Sequence, residues 1–273
     1  MITTEIMGGL GNQLFQIFNL ISYSLTYKTP FYFENKLASR ADRPHYWNNF
    51  LMSLKPFIQF NKVNLPIYKE SNFQYNKIQP FEEINQPIKF FGYFQSYKYF
   101  QEKEEDIFKI IKLNESKDKL KDDYKYDNLV SLHFRLGDYV NIQQCHALMP
   151  IHYYVEALQQ LIKDTNKDDW RILYFREEND IQQVKINISI LQKQYPNLSF
   201  EKINSKYCDW QQMLIMSHCQ HNIIANSTFS WWGAYFNQHK ENKVYYSSLW
   251  FGPDLAFKKT YDLFPPEWNK IKI

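Results

Sequence analysis

The sequence has few of the features that mark membrane, secreted or nucleic-acid-binding proteins. It contains only three cysteines, Cys145, Cys208 and Cys219, without a CxxC pair, and this pattern favours a reducing compartment. The formal net charge is only +3, so no strong basic field indicates nucleic acid. No apolar run approaches the ~18 residues of a membrane span, and residues 1–11 lack the apolar core of a signal peptide. We therefore expect a cytoplasmic protein, free or peripheral to a membrane, without an integral span.

Several catalytic signatures are absent as well. The sequence has no Asp-x-Asp, GxxxxGK[ST], HExxH or GxSxG pattern. Cys208, His218, Cys219 and His221 do not have the spacing of a zinc site. Ser227 lacks the glycines of a nucleophile elbow, which disfavours a serine hydrolase. We expect no metal ion and no cofactor.

Aromatic residues are abundant, at 18% of 273 residues, and most of them are expected in the core. The second half of the sequence alternates between strand and helix patterns, which predicts an α/β fold with a parallel sheet. The predicted strands are 2–7, 88–94, 129–135, 171–175, 198–203, 221–225 and 243–247, and the predicted helices are 12–28, 101–121, 150–163, 180–194, 208–219 and 230–239. The charged stretch 114–128 predicts a boundary between domains 1–128 and 129–273.

The first candidate site is a glycine-rich turn between the first strand and the first helix. It contains Gly9, Gly11, Asn12 and Gln13. Glycines let a backbone approach an anion, and a helix N-terminus directs its N–H groups at it. Leu14 occupies the place of the third glycine of a dinucleotide fingerprint, which disfavours NAD. A tight turn alone would explain the glycines but not the Asn12-Gln13 pair.

The second candidate site is at the end of strand 129–135. Strand alternation puts His133 and Arg135 on the same face, where the arginine could bind a phosphate or pyrophosphate with two parallel N–H bonds. A structural ion pair between Arg135 and Asp138 is an equal alternative. The third site follows strand 221–225, where small polar side chains and a helix N-terminus predict an anion site, although Ser230 could be only an N-cap. Its residues are Asn226, Ser227, Thr228, Phe229, Ser230 and Trp231.

These segments carry a resemblance to a known family. GGLGNQLFQ at residues 8–16, HFRLGDY at 133–139 and ANSTFSWWGAYF at 225–236 are similar to the α-1,2-fucosyltransferases of glycosyltransferase family 11. The closing FPPEW at 264–268 and the tyrosine pair after Pro150 fit as well, whereas residues 31–128 carry little of the likeness. The resemblance implies the GT-B fold, with two Rossmann-like domains facing a cleft. It also implies metal-independent, inverting transfer of fucose from GDP-fucose to a galactose-terminated oligosaccharide.

The resemblance also implies roles for individual residues. Arg135 would hold the pyrophosphate, and His133 would lie near the guanine or ribose. Ser227 and Thr228 would contact the phosphates. Asn12 would reach the donor from the facing domain. Leu136 stands where the family has a second arginine, and strand alternation predicts that it points away from Arg135 into the core.

The remaining roles are less defined by the sequence. Asp209 is a candidate for pairing with guanine. A general base would help to deprotonate the galactose 2-hydroxyl, and Asp138 is the first candidate, ahead of Glu5 and His45. Loops 36–50 and 140–150 are expected to select the acceptor. A transferase using another nucleotide sugar, and a binding protein that has lost catalysis, stay open as alternatives.

Overall fold

A computed structural model of the chain describes residues 1–35, 43–59, 64–81 and 87–273. The chain forms two compact units, the first comprising Met1–Ser116 with Lys258–Pro265, the second Lys117–Phe257 with Pro266–Ile273. The first unit contains β1 (Ile2–Thr4), α1 (Leu10–Tyr27), β2 (Phe33–Glu34), β3 (Ile58–Gln59), β4 (Ile67–Lys69), β5 (Ile88–Phe91) and α2 (Glu104–Ile111). The boundary between the units falls within α3 (Leu113–Asp118). The second unit contains β6 (Leu129–His133), α4 (Ile151–Thr165), β7 (Arg171–Phe175), α5 (Ile181–Gln194), β8 (Ser199–Lys202), α6 (Asp209–His218), β9 (His221–Ile223), α7 (Thr228–Tyr235), β10 (Val244–Ser247) and β11 (Asn269–Ile271).

The first unit has a small parallel sheet with the strand order β1-β5-β4. The parallel pair β2-β3 joins it through a bridge between Ile2 and Phe31. Helix α1 packs against β1, and its residues from Leu10 to Tyr23 are buried almost without interruption. It begins two residues before the predicted start, because Gly9 is its N-cap in an extended conformation. It ends where Lys28 takes a left-handed φ of 53°.

A short segment near the C-terminus completes the first unit. Asp262 forms an ion pair with Lys98 and accepts a hydrogen bond from the backbone N–H of Tyr75 at 3.2 Å. The Ser96 hydroxyl donates to the Asp262 carbonyl at 2.5 Å. These contacts explain why Lys258–Pro265 belongs to this unit and not to the one that precedes it in sequence.

The second unit is built on six parallel strands in the order β8-β7-β6-β9-β10-β11. All five residues of β6 are buried, and side chains of α4 and α5 pack into the same core as Val130 and Leu132. The alternation of strands and helices predicted from the sequence is confirmed, and β11 was not predicted. Starting from β6, the chain first builds outward through β7 and β8 and then returns to build the other half from β9. The strand order therefore reverses between β6 and β9, which is where open α/β sheets bind ligands.

The two units divide between Ser116 and Lys117, whereas the sequence pattern predicts a boundary at 128. Lys117 is buried, and its Nζ donates to the carbonyl of Phe236 at 2.7 Å. The ring of His218 contacts the Lys117 carbonyl at 2.9 Å. Burial lowers the pKa of Lys117 to about 8. Lys117, which lies in the stretch 114–128 that the sequence pattern takes as a boundary, is thus anchored to the second unit.

Within the part of the chain that the structure describes, no helix combines the length and the apolar character needed to cross a bilayer.

Candidate active site

The structure brings the second and third candidate segments together at the reversal of the second unit's sheet. Strands β6 and β9 are neighbours, with Leu132 opposite Ile223. Beyond their carboxyl ends, the Tyr139 hydroxyl donates to the carbonyl of Asn226 at 3.2 Å. The rings of His133 and Phe229 lie with their centroids 5.6 Å apart. Two motifs that are almost ninety residues apart in sequence therefore form one polar surface.

His133 is a buried and neutral member of this surface. Its side chain is 7% exposed, and its Nδ1 has no hydrogen-bond partner among the described residues. Burial, with a contribution from the neighbouring charge of Arg135, lowers the pKa of His133 to about 3. Because buried polar atoms are nearly always hydrogen-bonded, this nitrogen is suited to a polar group of a ligand.

Arg135 is enclosed by two carboxylates. It forms ion pairs with both Asp138 and Glu177, and its guanidinium lies 4.8 Å from the centre of the Tyr139 ring. We call Arg135, Asp138 and Glu177 the Arg135 cluster. The structural ion pair considered from the sequence is therefore present. A phosphate can take the place of a carboxylate at a guanidinium because both accept two parallel N–H bonds.

Glu177 was missed in the sequence. Glu177 lies two residues after the end of β7, and β7 is the strand beside β6. The acidic pair 177–178, which begins two residues after the end of the predicted strand 171–175, could therefore have indicated a carboxylate at the same sheet edge. Gly137 allows its approach, because a Cβ at this glycine would lie 2.6 Å from Glu177 Oε2. The φ of Gly137 is +39°, and its N–H donates to the buried carboxylate of Asp180 at 3.0 Å. Leu136 is 7% exposed within the hydrophobic core, which confirms that it points inward.

The turn after β9 is held by its own side chains. Ser227 is the N-cap of α7, and its Oγ accepts from the N–H of Phe229 at 3.3 Å. Ser230 is therefore not the cap, and α7 starts two residues earlier than predicted. The Asn226 amide donates to the carbonyls of Ala147 and Trp250 at 2.8 and 3.1 Å. Its Oδ1 is buried and has no partner among the described residues, so it is a second atom suited to a ligand.

The other residues of this segment differ in exposure. Thr228 and Phe229 are partly exposed at the first turn of α7. Ser230 is buried and bonds to the carbonyl of Ser227 at 3.3 Å. Trp231 is fully buried, and its ring packs against those of Tyr235, Trp232 and Trp268, with centroids 4.8, 5.0 and 5.4 Å away. The side chains of Ser230 and Trp231 therefore make contacts within the protein.

The glycine turn of the first unit has its own geometry. Gly8 needs to be glycine because its φ is +74°, whereas Gly9 has an ordinary φ of −74°. A Cβ at Gly9 would meet no heavy atom of the described chain within 4 Å, so its backbone is open to close approach by a ligand. Gly11 is buried in the first turn of α1. The buried Gln13 amide donates to the carbonyls of Gly8 and Pro44, both at 2.9 Å, and so holds the turn.

Comparison with known proteins identifies the family. The sequence model described as Glycosyl transferase family 11 matches residues 1–272. The chain belongs to glycosyltransferase family 11. It is 28% identical to an alpha-1,2-colitosyltransferase of Escherichia coli over 99% of both chains. It is 27% identical to a galactoside 2-alpha-L-fucosyltransferase of Caenorhabditis elegans, over 99% of this chain and 79% of the relative. The O-antigen biosynthesis glycosyltransferase WbnK of Escherichia coli is 30% identical over 63% of this chain and 58% of its own.

Membership of this family makes the chain a glycosyltransferase, which takes a nucleotide sugar and a glycan acceptor. Its candidate guanine contact, Asp209, is exposed at the first position of α6, where its Oδ1 accepts from the N–H of Trp210 at 2.7 Å. Of its candidate bases, Asp138 pairs with Arg135. Glu5 Oε2 lies 3.6 Å from Lys89 Nζ. The ring of His45 stacks on that of Trp47, with centroids 5.7 Å apart.

The loops expected to select the acceptor are partly described. Residues 36–42 of the first loop lie outside the described residues. In the remainder of that loop, Pro44 contacts the glycine turn through its carbonyl. The second loop contacts the turn after β9, because the carbonyl of Ala147 accepts a hydrogen bond from the Asn226 amide.

Of the four residues considered as zinc ligands, Cys208 lies at the opposite end of a helix from His218, Cys219 and His221. Cys208 and Cys219 flank α6, whose ten residues span about 15 Å. His221 Nδ1 accepts from the N–H of Lys243 at 3.0 Å. All three cysteines of the chain are free thiols.

Proposed function

We propose that this glycosyltransferase transfers L-fucose from GDP-fucose to the 2-hydroxyl of a terminal β-galactoside, with inversion and without a metal ion. The observation that carries the proposal is the meeting of two motifs at the sheet reversal: the His133 ring lies against that of Phe229, and the Tyr139 hydroxyl bonds to the Asn226 carbonyl. Arg135 belongs to the first of these motifs, and its guanidinium lies over the Tyr139 ring. Two relatives, named alpha-1,2-colitosyltransferase and galactoside 2-alpha-L-fucosyltransferase, support transfer to a 2-hydroxyl.

Departure of GDP places negative charge on the β-phosphate while positive charge develops on the sugar ring. In our proposal the β-phosphate displaces one of the carboxylates that pair with Arg135. The guanidinium then stabilises the negative charge that develops on the phosphate. The N–H groups at the start of α7, ordered by the Ser227 cap, act on the same phosphates. Preformed donors of this kind stabilise a leaving group at the point where its charge grows, which is the task that a metal ion performs elsewhere.

His133 would recognise the nucleoside. A neutral imidazole with a buried, unpartnered Nδ1 can bond to a ribose hydroxyl or a base without adding charge. Asp209, at the start of α6, is the proposed partner of the guanine. Gly9 and Asn12 are proposed to contact the same donor, as the GT-B arrangement implied by the family resemblance requires. A cytoplasmic location is part of the proposal and is supported by the three free thiols.

A second donor is favoured by one observation. The colitosyltransferase relative aligns over 99% of both chains, and colitose is fucose without its 3-hydroxyl. GDP-colitose would use the same diphosphate and nucleoside contacts, so only groups near the sugar's 3-position would separate the two donors.

The test is acceptor-dependent release of GDP in the presence of EDTA. GDP-fucose, GDP-colitose, GDP-mannose and UDP-galactose are compared with and without lactose. We expect lactose-dependent release from GDP-fucose that EDTA does not suppress. Arg135→Ala should lower kcat by about a hundredfold or more, which is typical for loss of a transition-state donor.

Arg171→Ala is the matched control. Arg171 begins β7, at the opposite end of the strand from Glu177, and pairs with Glu201 at 3.4 Å. The Arg171→Ala substitution removes the same charge as Arg135→Ala and should leave kcat unchanged. Suppression by EDTA would contradict metal independence, and release only from GDP-colitose would replace the donor. GDP-fucose binding without turnover would favour an inactive homologue.

A further inference from the structure

Asn12 is held by a residue that the sequence did not single out. Gln95 is 8% exposed, and its Nε2 donates to Asn12 Oδ1 at 2.9 Å. Because Gln95 supplies the donor, the amide oxygen of Asn12 faces Gln95 and its amide nitrogen lies on the other side. That nitrogen lies over the glycine turn, where it would be 2.6 Å from a Cβ at Gly8. The contact therefore determines which end of the Asn12 amide is presented beside the turn.

The loop that carries Gln95 is held by a carboxylate. Glu70, which follows β4, accepts hydrogen bonds from the N–H of Tyr93 at 2.8 Å and from the N–H of Phe94 at 2.9 Å. The loop needs this support because Phe94 has a φ of +52°, which is unfavourable for a residue with a side chain. Gly92 is required as well, since a Cβ there would lie 2.3 Å from the Cβ of Glu70. Both carboxylate oxygens are thus used to fix the two residues before Gln95.

We propose that Gln95 is a positioning residue that orients the amide of Asn12 for the donor, and that Glu70 fixes Gln95 by holding the loop at Tyr93 and Phe94. This inference rests on the proposed function, in which Asn12 contacts the nucleotide sugar. Gln95 donates to Asn12, Asn12 thereby presents its nitrogen beside the glycine turn, and Glu70 acts only through the loop. Neither Gln95 nor Glu70 is assigned a contact with the donor.

A double-mutant cycle tests the chain of contacts. We expect Gln95→Ala and Asn12→Ala each to lower kcat/KM for the donor by about tenfold or more, the scale of a misplaced substrate contact. The double variant should be no worse than Asn12→Ala alone, because Gln95 acts through Asn12. Multiplication of the two losses in the double variant would overturn the proposal.

Two further variants separate orientation from packing. Gln95→Met fills the same space but cannot donate, so it should lose as much activity as Gln95→Ala, and retention of activity would show that Gln95 only packs. Gln74→Ala removes an exposed glutamine of the same unit whose amide bonds to the Tyr261 hydroxyl at 2.8 Å. It should leave the donor kinetics unchanged. Melting temperatures confirm that each variant is folded.

Glu70→Gln tests the second half of the proposal. An amide offers one acceptor and one donor where the loop needs two acceptors, so one of the two N–H bonds is lost. We expect a loss of donor kcat/KM in the same direction as that of Gln95→Ala, and again no added loss in an Asn12→Ala background. An undiminished kcat/KM in Glu70→Gln would remove Glu70 from the proposal.

The same double-mutant cycle can be measured by GDP binding, without transfer of a sugar. If the wild-type protein transfers no fucose, GDP affinity measured by calorimetry replaces kcat/KM, and we expect the same coupling between Gln95 and Asn12. GDP binding that is coupled in this way would support the inference even if the proposed sugar were wrong. Absence of GDP binding by the wild-type protein would overturn both.

Discussion

The two units present different chemistry at the carboxyl ends of their parallel strands. In the second unit a guanidinium is enclosed by two carboxylates, beside buried atoms of His133 and Asn226 that have no partner among the described residues. In the first unit two neutral amides bond at the glycine turn: Gln13 donates to the Gly8 carbonyl, and Gln95 donates to Asn12. The charged groups are therefore concentrated at the second unit's sheet edge. The first unit's glycine turn has amide dipoles and an open backbone at Gly9.

Substitutions at two glycines test this difference between the units, and we expect the larger effect in the second unit. Gly137→Ala places a side chain at a φ of +39° and within 2.6 Å of the Glu177 carboxylate. We expect the free energy of unfolding to fall by about 1–2 kcal/mol, the usual penalty of a left-handed residue. We also expect weaker donor binding, because the Arg135 cluster must rearrange. Denaturant titration and GDP calorimetry measure the two effects, and wild-type values for both would show that the cluster does not depend on this glycine.

In the first unit, Gly9→Ala should affect donor binding and leave stability intact. The φ of Gly9 is ordinary and a Cβ would touch nothing in the described chain, so the free energy of unfolding should not decrease. If a donor phosphate approaches this backbone, the added methyl group should raise the donor KM by about tenfold. Unchanged kinetics in a stable Gly9→Ala variant would leave the turn with a structural role alone.

The sequence indicated the second unit well because its signals are local. Alternation along a strand places His133 and Arg135 on one face, and successive strand–helix patterns predict the parallel sheet that brings their motif to the turn after β9. The contacts that were missed join distant positions. Gln95 and Asn12 are 83 residues apart, and Lys98 and Asp262 are 164 apart, so no local pattern of either partner reveals the other.

Polarity can also mislead when it is read without tertiary contacts. Residues 117–128 have the composition of a linker, yet Lys117 is buried against the carbonyl of Phe236. Glu70 reads as an ordinary surface acid until the N–H groups of Tyr93 and Phe94 are seen to converge on it. In both cases the signal is a backbone group supplied by a distant segment, and a sequence does not display backbone groups.

Glu177 offers a smaller test of the Arg135 cluster. Glu177→Gln removes one of the two carboxylates that would compete with the proposed phosphate for Arg135, so GDP affinity should increase by about threefold, the scale of a partly exposed ion pair. The neighbouring Glu178→Gln is a matched control, because it changes the same charge next to Lys202 instead of Arg135. The difference between the two variants should shrink at high salt. Weaker GDP binding in Glu177→Gln would mean that Glu177 orients Arg135 and does not compete with the phosphate.

A separate test concerns the pH dependence of the first unit. Burial raises the pKa of Glu70 to about 7, although its two N–H bonds and Lys258 act to lower it. The hydroxyls of Tyr68 and Tyr99 also interact with this carboxyl, and burial raises their pKa values further above 10. A raised pKa means that the native protein holds the proton more tightly than the unfolded chain, so this contribution to stability is complete at low pH. It is lost as the pH rises through about 7.

The measurement is therefore a difference between variants. The free energy of unfolding of the wild-type protein, minus that of Glu70→Gln, should decrease between about pH 5 and pH 8 and then level off. Glu102→Gln changes an exposed acid of the same unit and should show no such decrease. A difference that instead increases with pH would mean that the two backbone N–H bonds outweigh burial. In that case Glu70 would hold the Gln95 loop most firmly as a carboxylate, and donor binding by Asn12 should strengthen over the same pH range.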